Sequence, residues 1–337
     1  MDIEITPLDL NLFQVWDDDE DLWYKNLLVA LVQGDQTPTQ VAIKIDTYIT
    51  QASIKQQAVH QQYLVHDKKT RTTSEKNKDE EEELVGPPNP DVHILMIMQW
   101  VARLCTAFPP GHVGQDRIIA FLEALRALPR HEVVKASLPK AEGEPEDDEY
   151  VYGRLEMWPF GKDWLTVVEE FRYVEEEIIY RVYPGLPPPP TERDIRYRNS
   201  QSALARLTAL GLVDFQLYSV LTMIIPSFHS WYPDLDNGQE EGFNWLTGYV
   251  IAGAQWIIQP DAGRYVYREC KKVAKAVSVS PKLSWSMESW QQWKQQFAFV
   301  AGEERVGVRA RELAQLAYQQ MLALEREDEG SALVASA

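Results

Sequence analysis

The stretch TPTQVAIKIDTYITQA, residues 37–52, decides the fold class. Thr37 offers a capping hydroxyl, Pro38 takes a first helical position where its missing N–H costs nothing, and Gln40 can close a capping box. Val41, Ile45, Tyr48, Ile49 and Ala52 then recur at spacings of three and four, which makes one face of a helix apolar. Upstream, Trp23, Leu27, Ala30 and Leu31 mark a shorter helix ending near Gly34. Downstream, Asn89-Pro90-Asp91 opens an apolar segment that runs to Phe108 and is stopped by Pro109-Pro110-Gly111. Ile118, Phe121, Leu122, Leu125 and Leu128 form another stripe, so the two segments read as an antiparallel helical pair.

The same punctuation fills the remainder. Trp164, Val168, Phe171, Ile178 and Val182 share one long helix face, and PGLPPPP, residues 184–190, then excludes both helix and central strand, leaving a stiff extended connector. Helices are expected over 191–210, 213–225 and 240–258, and from Pro260 with Tyr265, Val266, Cys270 and Val273. Two more follow, on Trp290, Trp293 and Phe297 and on Ala310, Leu313, Ala314, Ala317 and Leu324. No alternating run rivals these stripes, so the fold class is all-α: an irregular multi-helix bundle or loosely stacked helical pairs, with little or no sheet. The expected organisation is N-terminal helices over 1–65, a disordered loop over 66–91, and a helical pair packing on the body over 92–136. An acidic loop over 137–157, a C-terminal helical domain over 158–326 and a flexible tail over 327–337 complete it.

Composition narrows the function classes. The 337 residues carry a formal charge of −18, which disfavours phosphate backbones and anionic membrane surfaces, both bound chiefly through Lys and Arg. No nucleic-acid and no membrane partner is therefore expected. The acids cluster at 17–21, 79–83, 142–149, 175–177 and 325–329, runs that read as solvated faces or loops. Cys105 and Cys270 stand alone, without disulfide or zinc spacing, and the N-terminus lacks a basic region followed by an apolar run. An intracellular, cytoplasmic protein is expected, with a nuclear location left open. No stretch reaches the roughly 18 consecutive apolar residues of a membrane span.

Three segments together resemble a large uncharacterised family of helical proteins from filamentous fungi: YRNSQSALARL at 197–207, AGAQWIIQPDAGRYVY at 252–267, and WSMESWQQWKQQFAFVAGEERVGVRARELAQLAYQQMLALE at 285–325. The resemblance covers about Trp158 to Glu325. Gln201, Ser202 and Ala203 stand where that family more often has Asn, Ala and Phe, and the Trp256 to Gly263 spacing looks lengthened. The resemblance implies an all-helical fold and a fungal origin, and it transfers no catalytic residue.

No motif assigns a reaction. The chain has no phosphate-binding loop, no dinucleotide fingerprint after a strand and no nucleophile elbow, and no metal or cofactor is expected. Asp17-Asp18-Asp19 and Asp147-Asp148 lie in charged runs, unlike the inward-facing aspartates of terpene-type chemistry. Among the histidines, His60, His66, His93, His112 and His131 lack a neighbouring nucleophile signature, and His229, among Ser227, Ser230, Trp231 and Tyr232, is the best acid-base candidate. Aromatics crowd into residues 231–293, with small Gly248, Ala252 and Gly253 among them, and read either as a helical interface or as an aromatic-lined cavity. The candidate pocket residues are Arg198, Asn199, Arg206, His229, Trp245, Tyr249 and Trp256. Two functions follow: a non-catalytic helical interaction or regulatory protein, or a small-molecule binding protein or enzyme of fungal secondary metabolism. The partner is accordingly a protein or a small organic molecule.

Overall fold

The computed structural model describes residues 6–71, 86–137, 150–161, 164–180, 191–228, 240–273 and 285–335. Among them lie eleven α-helices and a single two-stranded sheet. Helix dominates the described residues, which establishes the all-α class. No helix among the described residues is long and apolar enough to cross a membrane. The chain divides into two compact units, one of Met1–Val15, Gln99–Ile119 and Phe160–Ala337, the other of Trp16–Met98 and Ala120–Pro159.

In the second unit, α1 (Asp19–Gln33) begins where the Asp18 carboxylate accepts from the Asp21 N–H. It ends at Gly34, whose left-handed backbone lets its N–H reach the Ala30 and Leu31 carbonyls. The acidic run at 17–21 is not all solvated: the Asp17 side chain is 2% exposed and sits 2.5 Å from the equally buried Lys25 Nζ. Burial of that carboxylate is tolerable because its charge is matched. α2 (Pro38–Arg71) carries the expected capping box, Gln40 N–H to Thr37 Oγ1 at 3.3 Å and Thr37 N–H to Gln40 Oε1 at 3.0 Å. Val41, Ile45 and Ile49 are fully buried, as their spacing requires.

Two boundaries of this unit depart from expectation. Residues 66–71 continue α2 instead of opening a loop, because HDKKTR contains no breaker and extending a formed helix costs little. The rest of that expected loop lies outside the described residues from 72 to 85, while 86–89 lead into α3 (Pro90–Ala107), with Ala136 N–H donating to the Pro88 carbonyl. Neither 132–136 nor 151–156 is helix or loop. β1 (Glu132–Ser137) pairs antiparallel with β2 (Val151–Glu156), from Glu132 opposite Glu156 to Ser137 opposite Val151. Six residues are too few to declare a period, and the pairing partner lies across 138–149, outside the described residues.

α3 and α4 (Val113–Ala127) contribute turns to both units. The first unit is completed by α5 (Leu165–Tyr180), α6 (Glu192–Ala209), α7 (Glu240–Gly253), α8 (Gln255–Ile258), α9 (Pro260–Lys271), α10 (Met287–Gly302) and α11 (Val308–Ala335). α6 is central and packs on α5, α7, α8 and α9, while α10 packs on α11. Its start is a full capping box, with Thr191 and Asp194 bonding each other's N–H. The expected 213–225 helix is replaced by short 3₁₀ turns at Gln216–Tyr218, Val220–Thr222 and Pro226–Phe228. The buried Gln201 amide takes over there, donating to the Tyr218 carbonyl and accepting from the Val220 N–H, so these backbone groups are satisfied without helix. The expected 240–258 helix is interrupted at Ala254. Small residues let α7 approach its neighbours: a Cβ at Gly248 would stand 2.9 Å from Asp194 Oδ1, and one at Gly253 3.0 Å from Ile224 Cγ2. The proline connector at 184–190 and His229 lie outside the described residues.

The acidic run at 325–329 also does structural work. Glu325 accepts from Trp290 Nε1 at 2.9 Å, Gln291 Nε2 at 3.0 Å and Lys294 Nζ at 2.7 Å, tying α11 to α10. Asp328 reaches α9 through Lys271 at 2.5 Å.

Candidate functional site

α6 is rich in polar residues, and most of them are buried among partners. Gln201 is fully buried and uses its whole amide: Nε2 donates to Glu175 Oε1 at 2.8 Å and to the Tyr218 carbonyl at 3.2 Å. Its Oε1 accepts from Trp256 Nε1 at 2.6 Å and from Val220 N–H at 3.1 Å. Ser200 Oγ adds a 2.8 Å bond to the same Glu175 oxygen. Glu175 belongs to an acidic run that reads as a solvated face, but it is 6% exposed, and burial pushes its carboxyl up to about 7 against the two hydrogen bonds that pull it down. The Tyr197 phenol is pushed well above its ordinary range by desolvation and then by Glu175.

On the other side of α6, Gln115 plays the same part. Its Nε2 donates to the Phe108 and Asn199 carbonyls at 3.2 and 3.3 Å. Its Oε1 accepts from Ser202 Oγ at 3.2 Å and Arg206 Nη1 at 3.0 Å. Ser202 Oγ also accepts from Gln259 Nε2 at 2.7 Å.

The predicted pocket residues fall around this network. Asn199 is fully buried, donates to the Thr106 carbonyl at 3.0 Å and accepts from Arg198 Nη2 at 2.8 Å. Arg206 bridges Gln115 and Asp116, the latter at 2.7 Å. Trp256 is fully buried edge-on to Trp285, centroids 5.6 Å apart, with Trp290 and Trp293 fully buried in the same unit. Trp245 and Tyr249 are half-buried and meet edge to face at 6.1 Å, and Tyr249 meets Tyr197 at 6.3 Å. Arg198, Asn199, Arg206 and Trp256 thus bond to the protein itself. Within the aromatic region, Trp293 Nε1 and Gln255 Oε1 are buried without a protein hydrogen-bond partner.

With that geometry in view, a family model described as "Protein of unknown function (DUF3632)" matches residues 98–297. The chain belongs to this DUF3632 family. The DUF3632 match begins within α3, some way before the Trp158 expected from the motifs, and ends within α10, short of Glu325. It spans Thr106, Gln115, Glu175, Gln201 and Trp256, the residues of the α6 network. No curated protein and no solved structure matches the chain.

Glu175, Gln201 and Gln115 were not legible as a set, because Gln201 bonds Glu175 and Trp256 across 26 and 55 residues and Gln115 reaches Asn199 across 84. One signal existed: between its caps, 191–209 has no apolar stripe wide enough for a surface helix to bury. Among the described residues, no group of three His, Cys, Asp or Glu is placed to hold a metal ion.

Proposed function

We propose that this DUF3632 protein acts by binding, as a helical interaction or regulatory protein, and that the outward face of α2 receives its partner. One observation carries the reading: Ile43, Ile54 and Val65 are 49%, 58% and 57% exposed and stand eleven residues apart. Eleven residues are close to three helical turns, so the three aliphatics lie on one line about 33 Å long. Beside them runs a second exposed row, Lys44, Gln51, Lys55 and Gln62. This face is aliphatic and basic in a chain of net charge −18, and Asp46 on the same helix is engaged by Trp158 Nε1 at 2.7 Å. The complementary partner is an amphipathic helix of another protein, apolar along its seam and acidic along one flank.

The same proposal includes a fungal origin, supported by the motif resemblance, and an intracellular location, supported by the buried free thiols Cys105 and Cys270. A place in secondary metabolism would require the small-molecule reading instead.

Full-length protein and an Ile43→Ser/Ile54→Ser/Val65→Ser variant serve as baits in native extract, followed by zero-length carbodiimide cross-linking. The expected result is a partner lost with the variant and cross-linked through its carboxylates to Lys44 or Lys55. Equal capture by the variant, cross-links only between copies of this chain, or no partner together with reproducible turnover of a metabolite would overturn the reading.

A further inference from the structure

A cleft of about 220 Å³ opens in the first unit, and its lining is unlike the surface of so acidic a chain. Three guanidiniums contribute to it, Arg103 of α3 and Arg193 and Arg196 of the opening turns of α6. Two carboxylates accompany them, Glu177 of α5 and Glu192 of α6, with Val174 supplying an apolar surface.

The charges are ordered. Arg103 Nη2 donates to Glu177 Oε2 at 2.6 Å. Arg196 donates to Glu192 Oε1 at 2.8 Å, to the Asp9 carbonyl at 3.0 Å and to Thr106 Oγ1 at 3.3 Å. Arg193 Nη2 lies 3.8 Å from Asp194 Oδ1. Arg196 is nearly buried, whereas the side chains of Arg103, Glu177 and Arg193 are 25%, 21% and 26% exposed and that of Glu192 is 65% exposed. Solvent therefore meets two guanidinium edges and two carboxylates in the same cleft.

A guanidinium edge matches a carboxylate in a bidentate pair, and an exposed carboxylate answers an ammonium. A dianion such as phosphate would face repulsion from Glu177 and Glu192, and a simple amine would face it from three guanidiniums. The volume is below that usual for drug-sized ligands, which points to a small metabolite. We infer that the cleft binds a small zwitterionic amino carboxylate with an apolar side chain. Its carboxylate pairs with Arg103 and Arg193, its ammonium with Glu192, and its side chain covers Val174.

This site is independent of the α2 face and stands or falls without it. The test uses the purified full chain, thermal shift and calorimetry, with L-leucine, isocaproate, isopentylamine and inorganic phosphate as probes. At about ten times its dissociation constant L-leucine raises Tm by about 3 °C. Isocaproate, which is leucine without the ammonium, binds at least about tenfold more weakly, a loss of roughly 1.4 kcal/mol, and isopentylamine gives no shift. Arg103→Ala/Arg193→Ala abolishes the response while keeping its far-ultraviolet circular dichroism, and Glu192→Gln brings leucine and isocaproate to similar affinity. The inference is overturned by no leucine response at millimolar concentration, by phosphate binding as strongly, or by a response that survives the double arginine substitution.

Discussion

α6 and α2 invert each other's composition. Thirteen of the eighteen residues of α6 are buried and eight of these are polar, from Asp194 and Arg196 through Gln201 to Thr208. α2 leaves Ile43, Ile54 and Val65 outside. The difference teaches that hydrogen bonding, and not polarity alone, decides admission to the interior. Gln201 and Gln115 each have every amide position engaged, so their desolvation is compensated. An isoleucine stays out when its helix has no neighbour on that side, and single exposed aliphatics are common on folded proteins. Three in register on one helix face are what suggests a partner.

The most damaging way to break the comparison is to remove the hub of α6. Gln201→Leu would leave the Trp256 indole N–H, the Val220 N–H and the Tyr218 carbonyl without their partner and strip Glu175 of one donor. A loss of about 4 kcal/mol is expected in guanidinium denaturation. Trp256→Ala is expected to cost about 3 to 5 kcal/mol, as befits a fully buried indole. The double variant should cost about 1 to 2 kcal/mol less than the sum, because the two share a bond. A Gln201→Leu loss under about 1 kcal/mol would mean that the buried polar network is incidental.

Glu175 sharpens the comparison through pH. Its folded carboxyl titrates at about 7 against an unfolded value of 4.5, raised by burial, so the folded state holds the proton more tightly. Its stabilising contribution is therefore greatest below pH 4.5 and is lost as pH rises toward 7. Glu175→Gln removes that slope: at pH 8 the variant is expected to be about 2 to 3 kcal/mol more stable than the parent, and at pH 4.5 nearly equal. Parallel stability profiles for the two proteins from pH 4.5 to 8 would show that Glu175 is ionised and compensated throughout.

The smallest effect is expected on α2. Ile54→Gln should change stability by no more than about 0.5 kcal/mol, whereas Ile45→Gln, nine residues earlier and fully buried, should cost several kcal/mol. A large loss at Ile54 would mean that its face is covered within the molecule and is no docking surface.

The helices were legible where local chemistry marks them. Thr37 with Gln40, Thr191 with Asp194, Gly34 and Pro260 bracket their elements as caps should, and Val41, Ile45 and Ile49 point inward as their spacing demands. β1 and β2 were not legible, since each is six residues long and has meaning only against the other. Nor were the turns at 216–228, where an apolar run that would suit a helix is held otherwise by Gln201 from α6.

The candidate site divides the same way. Arg198, Asn199, Arg206 and Trp256 stood out by residue type near the resemblance motifs, and the structure gives each a protein partner. The guanidinium cleft gathers residue 103, residue 177 and the turns at 192–196, three segments that nothing in their local sequence connects.

By itself the sequence determined the all-helical class and the positions of caps and stripes, because these depend on residues within one or two turns of each other. Only the tertiary structure decided that a polar helix lies inside, that Glu175 is buried and that three arginines share a cleft. Those outcomes depend on whether distant chain segments arrive to satisfy or desolvate a group, and a group's free energy inside a protein is set by its neighbours in space.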